Sequence, residues 1–157
     1  MSVRQRRIEA SYLKINGEFE LMSVGFDTIS EKPNAQIREK RYVGDASTTQ
    51  SIASYKWQSD FTGDQIENEK VIEYITSIGK ELKTGTDAES EYVMVDLDKP
   101  AKDGGYYARK IKVAVSVTEF PNNDGELGLS GSFFGLGDVV VGTFDKDTKA
   151  FKEGFIA

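Results

Sequence analysis

Residues 106–120, YYARKIKVAVSVTEF, alternate between apolar and polar side chains and decide the class of fold. This period of two predicts a strand that buries one face and exposes the other. The side chains expected to point inward are Ile111, Val113, Val115 and Val117, and those expected to point outward are Lys110, Lys112, Ser116 and Thr118. Residues 91–98 alternate in the same way, with Val93, Val95 and Leu97 inward. The sequence therefore predicts two strands joined by a loop at residues 99–105.

More strands are predicted on both sides of this pair. Six of the 15 glycines fall between Gly125 and Gly142, which is typical of strands that bend or bulge at a barrel corner. Asn16 and Gly17 tolerate positive φ and predict a two-residue hairpin near the N-terminus. The predicted strands outside the central pair are residues 8–15, 19–24, 127–134, 138–144 and 149–152.

A long polar segment, at about residues 31–50, separates the first hairpin from the next alternating run. Pro33 interrupts it and its later residues are small and polar, so it is predicted to be a long exposed loop and a candidate contact element. Residues 51–61 are then predicted to form one strand, whose inner face carries Ala53, Tyr55, Trp57 and Phe61.

One amphipathic helix is predicted at about residues 65–83. Asp64 and Glu67 have the spacing of a capping box, while Lys80 and Gly85 suit the C-terminal end. Its apolar stripe consists of Val71, Ile72, Ile75, Ile78 and Leu82. The chain is thus expected to be mainly β with a single helix.

The composition favours one domain, residues 1–157, and excludes several kinds of chemistry. A chain of this length can bury a sizeable core without help from metals or disulfides. It has no cysteine and no histidine, which excludes Cys/His zinc sites and Ser-His-Asp or Cys-His nucleophiles. No apolar run could span a membrane, and residues 1–7 lack the apolar stretch of a signal peptide, so the chain is expected in the cytosol when it is synthesised.

The net charge of −6 disfavours a function that requires tight binding of nucleic acid phosphates. The acidity is local, since residues 60–98 contain 11 acidic and 3 basic side chains. A solvated helix face and its flanking loop are the ordinary explanation for such a segment.

Short motifs that could carry chemistry lack the surroundings that the chemistry requires. Ser77 and Lys80 have a Ser-x-x-Lys spacing, but the enzymes that use it need a much larger chain. Two carboxylate pairs begin like calcium loops without the later ligands or the glycine: Asp96 with Asp98, and Asp145 with Asp147. We therefore predict no catalytic residue, no metal ligand and no cofactor.

Several segments together resemble the major tail tube proteins of long-tailed bacteriophages. The likeness is carried by the strand-to-helix run of residues 54–72, by residues 125–133 and 137–145, and by the closing G-T-F-D-x-x-T-K-x-F at residues 142–151. It covers roughly the last two thirds of the chain, whereas the first forty residues match only in layout. The order of strands, long polar loop, single helix and glycine-rich last third is also similar.

The resemblance implies an antiparallel β-sandwich or incomplete barrel with one flanking α-helix. It also implies a structural subunit, not an enzyme, which self-assembles into hexameric rings. Stacked rings would form a hollow tube that conducts DNA during ejection. The expected location is the virion tail, after synthesis in the cytoplasm of the host bacterium.

Contact segments are implied by position in the same family. The inter-ring contact loop would consist of Lys40, Arg41, Tyr42, Val43, Gly44, Asp45, Ala46 and Ser47. The N-terminal arm (1–7) would act through Arg4, Arg6 and Arg7, which also suit a solvated terminus, and the C-terminal arm (151–157) through Phe151, Phe155 and Ile156. For the lumen, the polar positions of the 51–61 strand are the hypothesis: Ser54, Lys56, Gln58 and Asp60.

The implied partners are other copies of the chain and other tail proteins, such as the tape measure, tail terminator and distal tail proteins. DNA would pass without specific binding, and no membrane is involved. A flexible tail, a contractile tail and a tail-derived bacteriocin all remain open, as does assembly without an initiator complex.

Two other functions are compatible with the residues. One is a monomeric β module that binds a carbohydrate or peptide, with Trp57, Tyr106 and Tyr107 as its platform. The other is an enzyme that works through the carboxylates of Asp96 and Asp98. Concentration-dependent assembly distinguishes the tube subunit from the monomeric module.

Overall fold

The computed structural model describes residues 2–157, which form twelve β-strands, one α-helix and two short 3-10 turns. The strands are, in chain order, β1 (Glu9–Ile15), β2 (Glu18–Leu21), β3 (Phe26–Lys32), β4 (Ala35–Lys40), β5 (Thr49–Tyr55), β6 (Gln58–Asp64), β7 (Glu89–Pro100), β8 (Tyr106–Glu119), β9 (Asn122–Asn123), β10 (Glu126–Gly135), β11 (Val140–Asp145) and β12 (Ala150–Glu153). The helix is α1 (Lys70–Lys80), and the 3-10 turns are Arg6–Ile8 and Gly85–Ala88. The predicted mainly β fold class is confirmed.

Ten of the strands form one antiparallel sheet, which curls into a half-barrel. Its main path is β2-β1-β7-β8-β10-β6-β3, with β9, β11 and β12 attached at the sides. β8 is the centre of this sheet, because β7 pairs with one of its edges while β10 and β11 share the other. The remaining strands, β4 and β5, pair only with each other within the described chain.

β7 is buried on both faces, because apolar side chains pack on each side of the sheet. Tyr92 and Met94 belong to the larger cluster, which includes the apolar stripe of α1. Val93 and Val95 belong to a smaller cluster with Tyr12, Phe19, Ala108 and Phe144. The alternation of residues 91–98 predicts only the second of these faces. The face of Tyr92 and Met94 is also buried, because the apolar residues of the larger cluster cover it.

α1 buries most of the predicted apolar stripe but begins later than predicted. Asp64 does not cap the helix, because it is the last residue of β6 and lies opposite Gly128 of β10. Glu69 takes the N-cap position and makes no side-chain cap hydrogen bond. The predicted capping box is therefore wrong. The buried residues of the stripe are Val71, Ile72, Ile75 and Ile78.

The helix ends with a left-handed residue, but that residue is Leu82 instead of the predicted Gly85. Leu82 has φ of 52°, and the N–H of Lys83 donates to the carbonyl of Ile78 at 3.0 Å, as in a Schellman motif. Leu82 is 82% exposed, so it does not belong to the buried stripe. Gly85 also has a left-handed φ, of 59°, as predicted, but it opens the second 3-10 turn and does not end the helix.

The predicted first hairpin and the predicted glycine bulge are confirmed. Asn16 and Gly17 have φ of 51° and 85° and join β1 to β2. Gly131 lies where the register between β10 and β8 shifts. A side chain there would clash, since a Cβ on Gly131 would lie 2.1 Å from the carbonyl oxygen of Ser116.

Residues 51–61 form parts of two strands in different sheets, not the single predicted strand. The chain leaves β5 at Tyr55 and enters β6 at Gln58. Tyr55 is exposed whereas Phe61 is buried, although the alternation places both on one inner face. The alternation continues across the break and therefore conceals it.

Candidate functional site

The β4–β5 hairpin is the most exposed part of the fold. Every residue of β5 is exposed, and so is every residue of β4 except Gln36. The long loop predicted at about residues 31–50 is therefore wrong as secondary structure, since true loop remains only at residues 33–34 and 41–48. The prediction failed because two strands that pair with each other away from a core need no apolar alternation.

The two faces of the hairpin differ in chemistry. Cross-strand neighbours share a face. On one face Ile37 lies opposite Ile52, and both are exposed. On the other face Arg38 lies opposite Ser51 and Lys40 opposite Thr49, so this face is basic and hydroxylated.

The predicted contact loop forms an ordered tip on this hairpin. Lys40 ends β4, and the next seven residues, Arg41, Tyr42, Val43, Gly44, Asp45, Ala46 and Ser47, belong to the connection. Asp45 closes the turn through two hydrogen bonds to Tyr42. The Asp45 carboxylate accepts a hydrogen bond from the backbone N–H of Tyr42 at 3.0 Å, and the backbone N–H of Asp45 donates one to the Tyr42 carbonyl at 3.0 Å. Val43 is fully exposed at the end of this turn.

A half-buried ion pair fixes the base of the hairpin, and the sequence did not predict it. The carboxylate of Glu31 accepts two hydrogen bonds from Arg109, at 2.8 and 2.9 Å, and one from the indole N–H of Trp57 at 2.7 Å. Burial would raise the pKa of Glu31, but the bonds from Arg109 and Trp57 outweigh burial and hold the pKa below its ordinary value. Arg109 and Glu31 are 78 residues apart, so no local spacing could have indicated them.

The N-terminal arm lies against its own chain. Arg4 pairs with Asp98 at 3.0 Å and with Asp96 at 3.3 Å, and its bond to Asp98 holds the pKa of that carboxyl below its ordinary value. Arg6 donates to the backbone of Glu9 and to the hydroxyl of Ser11. Arg7 is exposed.

The C-terminal arm also packs on the body of the same chain. Phe151 belongs to β12, and the ammonium of Lys110 lies 5.0 Å from its ring centroid. Phe155 meets Tyr107 edge to face, with ring centroids 5.1 Å apart. Ile156 is exposed, but its carbonyl accepts from the N–H of Lys102 at 2.8 Å.

The four residues of the lumen hypothesis fall in two groups. Ser54 and Lys56 are exposed, the first on β5 and the second just after it, whereas Gln58 and Asp60 lie on β6 of the half-barrel. Asp60 pairs with Lys32 at 2.6 Å. Hydrogen bonds from Lys32 and Ser132 lower the pKa of Asp60 to about 2, so it is charged at neutral pH.

An open groove of about 790 Å³ lies beside α1, at the end of β6 that is farther from the hairpin. Ile66, Ile72 and Leu127 supply its apolar lining, and the first and last of these are exposed. Four acidic side chains and one basic side chain line the same groove: Asp64, Glu67, Glu73, Glu126 and Lys80. Three of these acidic side chains, Asp64, Glu67 and Glu73, belong to the acidic segment at residues 60–98.

Comparison with known proteins gives matches in structure but not in sequence. No protein-family model matches the chain, and no curated protein matches it. The tail of an empty gene transfer agent particle, solved by helical refinement with C6 symmetry, contains a chain that matches with a TM-score of 0.63. The two chains are 12% identical, and the match covers 87% of this chain and 97% of that one. The chain has the fold of a gene transfer agent tail protein.

Two further assemblies contain the same tail-protein fold. A chain of the native gene transfer agent virion matches with a TM-score of 0.63 and 11% identity, over 88% of this chain and 98% of that one. A chain of the anti-feeding prophage baseplate, symmetrised six-fold, matches with a TM-score of 0.52 and 6% identity, over 90% and 95%. The fold implied by the resemblance is therefore confirmed.

The motifs set aside in the sequence have structural roles within the tail-protein fold. The Ser77 hydroxyl donates to the Tyr74 carbonyl at 2.8 Å, and Asp145 accepts from the N–H of Asp147 at 2.9 Å. Among residues 2–157, no three carboxylates come together in a group that could hold a metal ion. Within the same range no helix is both long and apolar enough to cross a membrane.

The three aromatic residues of the alternative binding platform lie apart. The carbonyl of Trp57 accepts a hydrogen bond from the N–H of Gly135. Gly135 in turn lies opposite Val113 of β8, so Trp57 is near that part of the strand. Tyr106 and Tyr107 lie six or more residues back along β8. At about 3.3 Å per residue, that separation is roughly 20 Å.

Proposed function

We propose that the chain is a structural subunit of a tail tube, which forms hexameric rings that stack around a hollow channel for DNA. The observation that carries this proposal is the fold shared with a C6-symmetric tail over 87% of this chain and 97% of that one. The subunit acts by assembly and needs no catalytic group.

The ends of the sheet support assembly through strand pairing. β2 and β3 close the main path, so each has an edge that pairs with no other strand of residues 2–157. Exposed strand edges favour association, and a closed ring pairs each edge with a neighbouring copy. Six copies joined in this way would complete the barrel that one half-barrel begins.

The charge supports a channel that does not hold DNA. The net charge of −6 opposes binding of phosphates to the wall, so DNA would slide through the tube. The remaining partners are other tail proteins at the two ends of the tube, and the location is the virion tail.

Electron microscopy of negatively stained protein over a concentration series, with light scattering for mass, tests this function. We expect six-subunit rings and stacked tubes of uniform diameter to increase with concentration, because assembly follows mass action. A chain that stays monomeric throughout the series would favour the monomeric binding module, and assemblies that are not six-subunit rings would contradict the proposal.

A further inference from the structure

The base of the hairpin and the groove beside α1 lie at opposite ends of one strand. The hairpin joins β6 at Gln58, and the groove begins at Asp64, the last residue of that strand. Six steps of about 3.3 Å place these two ends roughly 20 Å apart. A contact between tip and groove therefore joins two copies head to tail, and a heterologous contact of this kind repeats along a stack.

The tip has the form of an apolar knob. Tyr42 and Val43 are exposed at the end of an ordered turn, and Val43 is the most exposed of the large apolar side chains described. The ammonium of Lys40 lies 4.9 Å from the ring centroid of Tyr42, which places positive charge beside the knob. A preformed turn loses little conformational entropy when it docks.

The groove has the form that such a knob fits. Exposed Ile66 and Leu127 contribute to an apolar lining within about 790 Å³. A Tyr side chain that enters an apolar pocket surrounded by polar residues reproduces the usual anatomy of a binding hot spot, and Val43 beside it adds buried apolar area.

The charges of the two surfaces are opposite. The basic face of the hairpin, formed by Arg38, Lys40, Tyr42, Thr49 and Ser51, carries two cations and no carboxylate. Of the nearby carboxylates, Glu39 lies on the other face opposite Gln50, and Asp45 is engaged by the N–H of Tyr42. The groove, in contrast, has an excess of three acidic side chains. Opposite charges orient the docking and favour this partner over others.

The geometry points to a specific contact between copies: Tyr42 and Val43 of one subunit enter the groove beside α1 of a second copy of this chain, and the basic face of the hairpin meets the acidic rim. This contact rests on the proposed self-assembly and would join one ring to the next. The groove beside α1 would then be the surface that binds the predicted contact loop.

Charge reversal on the two surfaces tests the contact. One variant carries Arg38→Glu and Lys40→Glu, and the other carries Glu67→Lys and Glu126→Lys. We expect each variant alone to form rings whose stacked fraction is lower by about tenfold or more, because like charges then face each other. Mixing the two ring populations should restore stacking, since each hairpin then meets a groove of opposite charge. Unchanged thermal unfolding of each variant is the control for folding.

Cysteine crosslinking tests the same contact without relying on charge. The chain contains no cysteine, so a Val43→Cys, Leu127→Cys variant carries only the two introduced thiols. A disulfide requires Cα atoms within about 7 Å, so mild oxidation of assembled protein should give a ladder of covalent multimers. The matched control combines Val43→Cys with Leu21→Cys, an exposed leucine on β2, and should give no ladder.

The outcomes separate this contact from the function it rests on. Wild-type tubes, together with reversal variants that stack equally well or fail to recover on mixing, would overturn the docking and leave the tube function intact. A ladder from the Leu21 control as strong as that from the Leu127 pair would do the same. Wild-type protein that assembles into anything other than stacked six-subunit rings would overturn both.

Discussion

The half-barrel and the β4–β5 hairpin are built from similar strands but are stabilised in different ways. β7 buries side chains on both faces, and Val93 and Val95 are completely buried. β5 buries none of its residues and pairs only with β4 within residues 2–157. The body has a core of its own, whereas the hairpin depends on its own ladder and the bonds at its base. All strand residues of the hairpin except Gln36 are exposed, and the proposed assembly would bury its apolar side chains against another copy.

Replacing a core isoleucine by aspartate should have the largest effect. Ile75 on α1 is fully buried, so Ile75→Asp places an unpaired charge in the core at a cost of several kcal/mol. We expect loss of soluble, cooperatively folded protein in expression and thermal-unfolding assays. Ile52→Asp, on the exposed face of the hairpin, is the matched control and should unfold like wild type. Normal unfolding of the Ile75 variant would mean that the helix face is misassigned.

Removing the hairpin tip should have the next largest effect, because it should abolish assembly into tubes while the fold is unchanged. Deletion of residues 40–47 removes the knob and leaves the core residues in place. We expect wild-type circular dichroism and unfolding, with no long tubes in electron micrographs. Long tubes from the deletion variant would contradict the role of the contact loop.

Breaking the ion pair at the base of the hairpin should have a smaller effect, which is a partial loss of stability. Arg109→Met leaves the half-buried carboxylate of Glu31 without its main partner, which should destabilise the fold by about 1–3 kcal/mol at neutral pH. Arg38→Met, at an arginine that makes no ion pair within residues 2–157, is the control and should be nearly neutral. Urea unfolding measures both; equal stability of the two variants would contradict the role of the pair.

The same ion pair predicts a pH dependence. The folded pKa of Glu31 lies below its unfolded value of 4.5, so the contribution of the pair is complete above that pH. It is lost as the pH falls through the folded pKa, where the carboxylate takes up a proton. The difference in stability between wild type and the Arg109→Met variant should therefore shrink in acid; a constant difference down to pH 2 would contradict this assignment.

The smallest effect expected is a small gain in stability from a substitution at the C-terminal end of α1. Leu82 adopts φ of 52° while its side chain is exposed, so glycine would relieve backbone strain and lose no packing. Leu82→Gly should raise the free energy of unfolding by about 0.5–1 kcal/mol. Glu81→Gly, at φ of −90°, is the control and should lower it. A loss of stability from Leu82→Gly would contradict the description of this cap.

The sequence was sufficient where local pattern and tertiary context agree. The alternation of residues 106–120 predicted the buried Ile111, Val113 and Val115 correctly, and Asn16-Gly17 predicted a turn that needs positive φ at both positions. These features depend on neighbours in the chain. They required no knowledge of the strand order.

The sequence was insufficient where distant segments decide the outcome. Asp64 has the chemistry of a helix cap, but pairing with Gly128 keeps it in β6. The hairpin was predicted as a loop because its strands have no core to impose an apolar face. The groove combines Ile66 with Leu127, two residues 61 positions apart, so only the folded chain reveals it.

Electron cryo-microscopy of the assembled wild-type protein, viewed along the axis, tests the central claim most directly. We expect closed rings of six copies whose half-barrels complete one continuous wall around an open channel. In side view, the hairpin of each ring should reach the next ring beside α1. Wild-type assemblies without closed six-fold rings would contradict the claim.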